Sequence, residues 1–394
     1  LHTRVGMRLR LIAIVFGLLA LFGVFWVMWP SPISPSYWQE PPAPELVGPL
    51  QPNDALRDAD IYVVGGSGTA EGLILADDGR IFFGTPDGQV RILTPLDEGT
   101  SQVETLADLG DTAVLGLNWV APGVLGAATL SGLYAVNVGS GHYTLISSGV
   151  PAHPFGFIND LAVTGNGTIY FTDSSTRWDH ESPTRGYIFD MLENRPNGAL
   201  YVWDPSVHQT RLVRDRLYFP NGVAVAADGQ SLFVSETFRY RIQRLWIAGP
   251  RRGEMSVLAD NLPGFPEGLR LDEQGRLFVA MPSRREPILS VLHRNPFLTR
   301  LIAKLPDWLR PNVGATQPFV LVLDSQTGEA LATLHDPDGA MCYMSNLDIA
   351  RSGDLWLSSS NCGHVARIAR PDLPAASSAS PVEAEASPVF LGHH

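Results

Sequence analysis

The stretch Phe157-Ile158-Asn159-Asp160-Leu161-Ala162-Val163-Thr164-Gly165-Asn166-Gly167-Thr168-Ile169-Tyr170-Phe171-Thr172-Asp173 decides how the chain is read. Apolar residues alternate on both sides of a glycine-containing turn, the pattern of a β-hairpin with one buried face. The same shape returns at residues 71–84, 115–128, 221–234, 267–280 and 346–359. Six copies of one hairpin, spaced by at least the length of a four-stranded blade, predict an all-β six-bladed propeller over residues 59–370. A sandwich offers no reason to repeat one hairpin six times. Further strand-like runs between the copies, such as Gly198–Asp204 and Phe319–Asp324, supply the outer strands.

Composition agrees with this class. The chain has 394 residues, 45% of them hydrophobic and 17% charged, which is ample for a packed core. Its 38 Gly and 31 Pro suit many short strands joined by tight turns. A net charge of -12 argues against the clustered basic surface that nucleic acid requires.

Outside the propeller the sequence changes character. Arg4, Arg8 and Arg10 precede an uncharged apolar run, residues 11–29, long enough at helical rise to cross a bilayer. Without an Ala-x-Ala cleavage signal it is expected to remain as a single-pass anchor, with residues 1–10 cytoplasmic and the propeller extracytoplasmic. Residues 30–58 form a Pro-rich linker, and residues 371–394 are too poor in apolar side chains to be expected to fold. Two long insertions, 174–197 and 281–317, leave the ends of inner hairpins and are candidates to line or cover a site. A short helix is expected around 288–309.

Cys342 and Cys362 are the only cysteines, which rules out a Cys-rich zinc site. If the last hairpin is centred on Ser352 they lie opposite each other, within disulfide reach. A bridge and two buried free thiols stay open as alternatives, separated by compartment.

Eight residues before the turn glycine, each copy has an equivalent position at the mouth of its inner hairpin. These positions are Glu71, Leu115, Asn159, Asn221 and Glu267. In the last copy the count gives Ser345, with Asn346 in that place only if the turn is one residue shorter. Equivalent positions of inner strands converge on the central channel, so Glu71, Asn159, Asn221 and Glu267 are candidate metal ligands, with Leu115 and Asn346 as further lining residues. Carboxylates and carboxamides are hard oxygen donors that suit Ca2+, whereas zinc or copper would call for His or Cys. Glu71 and Glu267 are also the candidate catalytic groups. His153, His180, His293 and His335 could lie near a face of the propeller, but the sequence pairs none with a nucleophile, and His335 reads as a turn residue. No Gly-x-Ser-x-Gly motif or phosphate loop is present.

Several of these segments carry a resemblance. Phe157-Ile158-Asn159-Asp160, Phe219-Pro220-Asn221-Gly222-Val223-Ala224-Val225, Leu232-Phe233-Val234-Ser235-Glu236-Thr237, Leu262-Pro263-Gly264-Phe265-Pro266-Glu267 and Leu334-His335-Asp336-Pro337-Asp338-Gly339 resemble the strictosidine synthase-like family, in order, over residues 59–370. The resemblance implies kinship with the calcium-dependent paraoxonase, gluconolactonase and diisopropyl-fluorophosphatase propellers, in which a channel metal polarises an ester, lactone or phosphoester oxygen. By position, Glu71, Asn159 and Asn221 match metal ligands. Pro266-Glu267-Gly268 departs from the family's Pro-Asp-Asn. Asn346 stands where strictosidine synthase has its catalytic Glu, which argues against a Pictet-Spengler synthase. The expectation is a membrane-anchored, calcium-dependent hydrolase acting on a small-molecule ester or lactone. The alternative is a non-catalytic propeller that binds a ligand or partner at the cell envelope around structural calcium.

Overall fold

The computed structural model describes residues 2–65, 69–96, 99–110, 112–150, 153–178, 183–310, 317–360 and 362–377, with side chains except at 2–12, 19, 153, 154, 183 and 184. His180 and residues 378–394 of the expected tail lie outside them, as does the side chain of His153.

Each repeated hairpin forms the two innermost strands of a four-stranded antiparallel sheet. The first blade runs Glu71–Leu75, Ile81–Gly84, Gln89–Pro95 and Ser101–Asp108. The next four begin at Val114, Ile158, Pro220 and Leu269 and follow the same order from the channel outward. The sixth has Met344–Ile349, Leu355–Ser359 and His364–Ile368 from the end of the propeller. Its fourth strand is Asp60–Val63, in register from Asp60 opposite Arg367 to Val63 opposite His364. Strand pairing between the two ends of the domain therefore closes the ring. The innermost strand of every blade packs against that of the next, around all six.

Local sequence explains the repetition. The turn glycines Gly79, Gly123, Gly167, Gly229, Gly275 and Gly353 all have φ between +64° and +89°, a region that side chains with a Cβ strongly disfavour. From each turn, alternate residues enter the space between adjacent sheets. Phe82, Leu117 and Leu125 share one such layer, and Leu161, Phe171 and Tyr201 another.

The helices lie outside the blades. α1 spans His2–Met28 and includes the expected anchor. Among the described residues no helix is long and apolar enough to cross a membrane, the described side chains of α1 being only those at 13–18 and 20–28. The insertion after the third inner hairpin holds α2 (Pro183–Glu193). The insertion after the fifth holds α3 (Pro287–Arg294) and α4 (Pro296–Ala303) where one short helix was expected. Asn295 separates the two, and Pro296 opens α4. α2 packs on α3 and α4, and all three share a core with Phe219, Phe238, Tyr240, Phe265 and Phe319 of the propeller. This is a lid welded to the blades.

The Pro-rich segment is likewise part of the fold. Ile33 and Leu56 are buried. Ser36 N–H donates to Glu193 O (2.9 Å), Trp38 N–H to His293 O (3.0 Å) and Leu56 N–H to His335 O (3.0 Å). Residues 33–56 form a strap across the lid and the fifth blade before the chain enters the sheet.

Cys342 and Cys362 are paired, with Cα atoms 5.9 Å apart. The route differs from simple opposition across the hairpin. A bulge between Met344 and Asn346 shifts the register, and both cysteines lie beyond the strand ends.

Candidate functional site

The six equivalent positions do encircle the channel, and the backbone shows it step by step. A Cβ on Gly72 would stand 2.7 Å from Leu115 O, one on Gly116 2.5 Å from Asn159 O, one on Gly222 2.3 Å from Glu267 O, and one on Gly268 2.8 Å from Ser345 O. Each glycine follows a ring residue, so its lack of a side chain lets neighbouring inner strands touch. Between the third and fourth blades the link is polar. Thr172 Oγ1 donates to Asn221 O (2.6 Å) and accepts from Asp160 N–H (3.1 Å). Between the sixth and first, Ser345 Oγ donates to Glu71 Oε2 (2.7 Å).

That bond corrects one expectation: Ser345, not Asn346, takes the sixth position. The last turn is as long as that of the first hairpin, since Ile349 pairs with Leu355 as Leu75 does with Ile81. Asn346 is the following residue, and its Oδ1 accepts from Leu347 N–H (2.8 Å), as Asp160 Oδ1 accepts from Leu161 N–H (2.9 Å). Its carbonyl oxygen is thus engaged by its own strand.

Within the ring the two carboxylates come together. Burial raises Glu71 above the usual carboxylate range. Burial, reinforced by the neighbouring Glu71 charge, raises Glu267 well above it. No described Lys or Arg pairs with either. The Tyr343 hydroxyl donates to Glu267 Oε1 (3.4 Å) and shares a hydrogen bond with Tyr187 of α2. Burial and the Glu267 charge push the phenols of both tyrosines upward. α2 therefore reaches over this end of the channel and touches its polar cluster. Asn159 and Asn221 stand on the same ring with other partners: Asn159 Nδ2 donates to Ser174 Oγ (3.0 Å), and Asn221 is almost fully buried. Leu115 lines the ring as an apolar member packed against the lid core.

The donor chemistry suits a hard divalent cation. It comprises only carboxylate, carboxamide and hydroxyl oxygens, with one buried and one partly buried carboxylate that lack a counter-charge among the described residues. Among the described residues no group of three or more His, Cys, Asp or Glu is placed to hold a metal. Amide oxygens would have to complete such a shell.

Tyr343 is the cluster member that sequence reasoning missed: it lies outside the repeat, in a turn, where an aromatic reads as packing. Tyr187 comes from the insertion 174–197 expected to line or cover a site, and Ser345 from the count itself. The histidines play other parts. His293 is buried, bonded to Glu40 Oε1 through Nδ1 (2.7 Å) and to Met191 O through Nε2 (2.9 Å), tying strap, α2 and α3 together. His335 is no turn residue: it ends an outer strand, buried and stacked on Phe319 at 4.9 Å, and burial drops its pKa to about 4.

Deeper in the channel Arg270 crosses from the fifth blade. Its guanidinium approaches Leu73 O (3.5 Å) and Leu117 O (3.4 Å) of the first two blades and pairs with Asp348 of the sixth at 3.4 Å. Its charge also lowers the Asp160 carboxyl of the third, although burial keeps that group raised on balance.

Comparison with known proteins accords with this architecture. Residues 159–250 match the strictosidine synthase model, and residues 48–92 match that of the strictosidine synthase-like N-terminal region. Adipocyte plasma membrane-associated protein of Rattus norvegicus is 30% identical over 361 residues, covering 86% of this chain and 93% of that one. The chain belongs to the strictosidine synthase-like family. In fold it is similar to a gluconolactonase from Xanthomonas campestris, with a TM-score of 0.55 at 19% identity over 88% of this chain and 99% of that one. It is also similar to regucalcin, a calcium-binding protein of Agrobacterium tumefaciens, with a TM-score of 0.54 at 16% identity over 78% and 92% of the two chains.

Proposed function

We propose that the chain is a membrane-anchored, calcium-dependent hydrolase of esters or lactones that works at the lidded end of the channel. The observation that carries this is the pair of carboxylates, partly buried Glu71 and buried Glu267, joined to hydroxyl groups and lacking a cationic partner among the described residues. Calcium would be held by Glu71 and Glu267 with side-chain oxygens of Asn159 and Asn221. Bound there it would supply Lewis-acid polarisation of the substrate carbonyl.

The chain's own residues do the rest. Glu267 or Glu71 is the candidate to attack the carbonyl or to take a proton from water, each having a carboxyl whose proton affinity is raised by burial. Tyr343, between Glu267 and Tyr187, orients the Glu267 carboxyl, while α2 restricts water. Neither Ser345 nor Asn346 can serve as a general base, so an amine–aldehyde condensation lacks its proton acceptor.

Two features support the anchor. Ile14, Val15, Phe16, Leu18, Leu21, Phe22, Val24 and Phe25 of α1 are all exposed apolar side chains, and relatives carry membrane association in their names. The Cys342–Cys362 pair fits a propeller on the extracytoplasmic side, where disulfides persist. A second reading is a ligand- or partner-binding propeller with structural calcium.

The full chain in detergent, assayed on aryl esters and lactones with calcium and with chelator, separates them. Chelator-sensitive turnover that falls at least tenfold in Glu71→Gln and in Asn221→Ala is expected. Calcium-dependent thermal stabilisation without turnover selects the second reading, and no calcium bound at saturation refutes both. A reporter fused after His394 that proves cytoplasmic refutes the orientation.

A further inference from the structure

The α3–α4 segment is apolar on two sides. Its inward side buries Leu289, Leu292, His293, Thr299 and Ala303 against the lid core. Its outward side exposes Val291 (48%), Phe297 (61%) and Leu298 (39%), followed by Trp308 (80%) and Leu309 (50%). Large apolar side chains gathered on 19 residues of one segment, 291–309, form a patch that water alone does not favour.

Three observations say what covers it. The patch adjoins the C-terminal end of α1: Lys304 Nζ donates to Trp26 O (2.7 Å) and Val27 O (3.2 Å), and Ser31 Oγ to Arg300 O (3.3 Å). A 360 Å³ cleft at this junction mixes apolar Val27, Trp29 and Phe297 with basic Arg300 and Lys304. The segment's charge is opposite to that of the chain. Residues 287–310 hold Arg294, Arg300, Lys304 and Arg310 against the single acid Asp307, in a protein of net charge -12. Arg294 and Arg300 are exposed beside the patch and Lys304 partly so, while Arg310 turns inward onto Phe189 and pairs with Asp307; bulky apolar side chains flanked by basic ones are the composition of a helix that lies in the interface of an anionic bilayer.

We propose that α3, α4 and the Trp308–Leu309 turn dock on the lipid surface where α1 meets it, so that the lid of the channel is itself a membrane-contact element. This rests on α1 lying at the membrane, and the test reads the two separately. The full chain, reconstituted in vesicles of mixed phosphatidylcholine and phosphatidylserine, carries an environment-sensitive fluorophore on Phe297→Cys or, in a second variant, Trp308→Cys. Gln102→Cys on an exposed outer strand is the control, and the native cysteines are already paired.

Labels at 297 and 308 are expected to shift to the blue, to be quenched by doxyl lipid and to resist aqueous iodide, with weaker effects in pure phosphatidylcholine; the label at 102 shows none of this. If the lid labels behave like that at 102, the docking is overturned, and carbonate-resistant association of the same sample shows that the anchor survives it. If carbonate releases the chain, the anchor fails, yet lipid quenching at 297 and 308 on anionic vesicles still supports docking. Shielding in native membranes but not in lipid vesicles identifies a protein partner and overturns the lipid assignment.

Discussion

Replacing Asp190 by Asn should make the lid more stable at neutral pH and remove most of its pH dependence. Asp190 lies in α2, fully buried. Ser175 Oγ (2.6 Å) and Asn197 Nδ2 (2.9 Å) donate to its Oδ2, while its Oδ1 has no partner. Burial, with a smaller push from Glu193, raises its pKa to about 7. In the unfolded chain a carboxyl of this type titrates near pH ~3.9. The folded state therefore binds the extra proton between about pH 4 and 7, and stability falls as pH rises through that window. Each unit is worth about 1.4 kcal/mol, so the native chain loses up to about 4 kcal/mol, in full above pH 7. The assay is hydrogen exchange over residues 183–197, corrected for intrinsic rate, at pH 5 and pH 8. Native protection should drop by about a hundredfold while that of Asp190→Asn stays within about tenfold. Equal protection at the two pH values in the native chain, or an Asn variant weaker than native at pH 8, would refute the reasoning.

Two further outcomes follow from features distant from the lid. Arg270→Met should cost about 3–5 kcal/mol in urea unfolding, because Asp160 and Asp348 lose their buried counter-charge; adding Asp348→Asn should recover part of it, and a loss that simply adds would count against the pairing. Reducing the Cys342–Cys362 bridge, which closes a separation of 20 residues, should cost about 3 kcal/mol, read as a lower unfolding midpoint in reductant that is absent from the Cys362→Ser variant.

The propeller was legible because each inner hairpin satisfies two rules at once, period-two burial and a glycine that must take positive φ. The ring followed by counting, and only the sixth position needed the observed turn length to decide between Ser345 and Asn346. α2 was not legible. Phe189, Asp190, Met191, Leu192 and Glu193 are all buried in succession, so the second half of the helix is enclosed on every side and has no polar face to give it a period. The strap was hidden for a related reason: proline-rich chain has no periodicity, and its fixing bonds run from backbone to residues more than a hundred positions away. Tyr343 belongs to the site through tertiary contact alone.

Arg270 has one more consequence. The guanidinium reaches backbone oxygens of the first and second blades and the Asp348 carboxylate of the sixth, so it bridges the channel among their inner strands. A 470 Å³ depression is lined by Arg270 and Asp348 together with Asp272, Arg351 and Arg370. In the proposed hydrolase, a substrate reaching Glu71 and Glu267 from the α2 side would meet Tyr187, and product leaving the same way would tie the pace to how readily α2 lets its contents go.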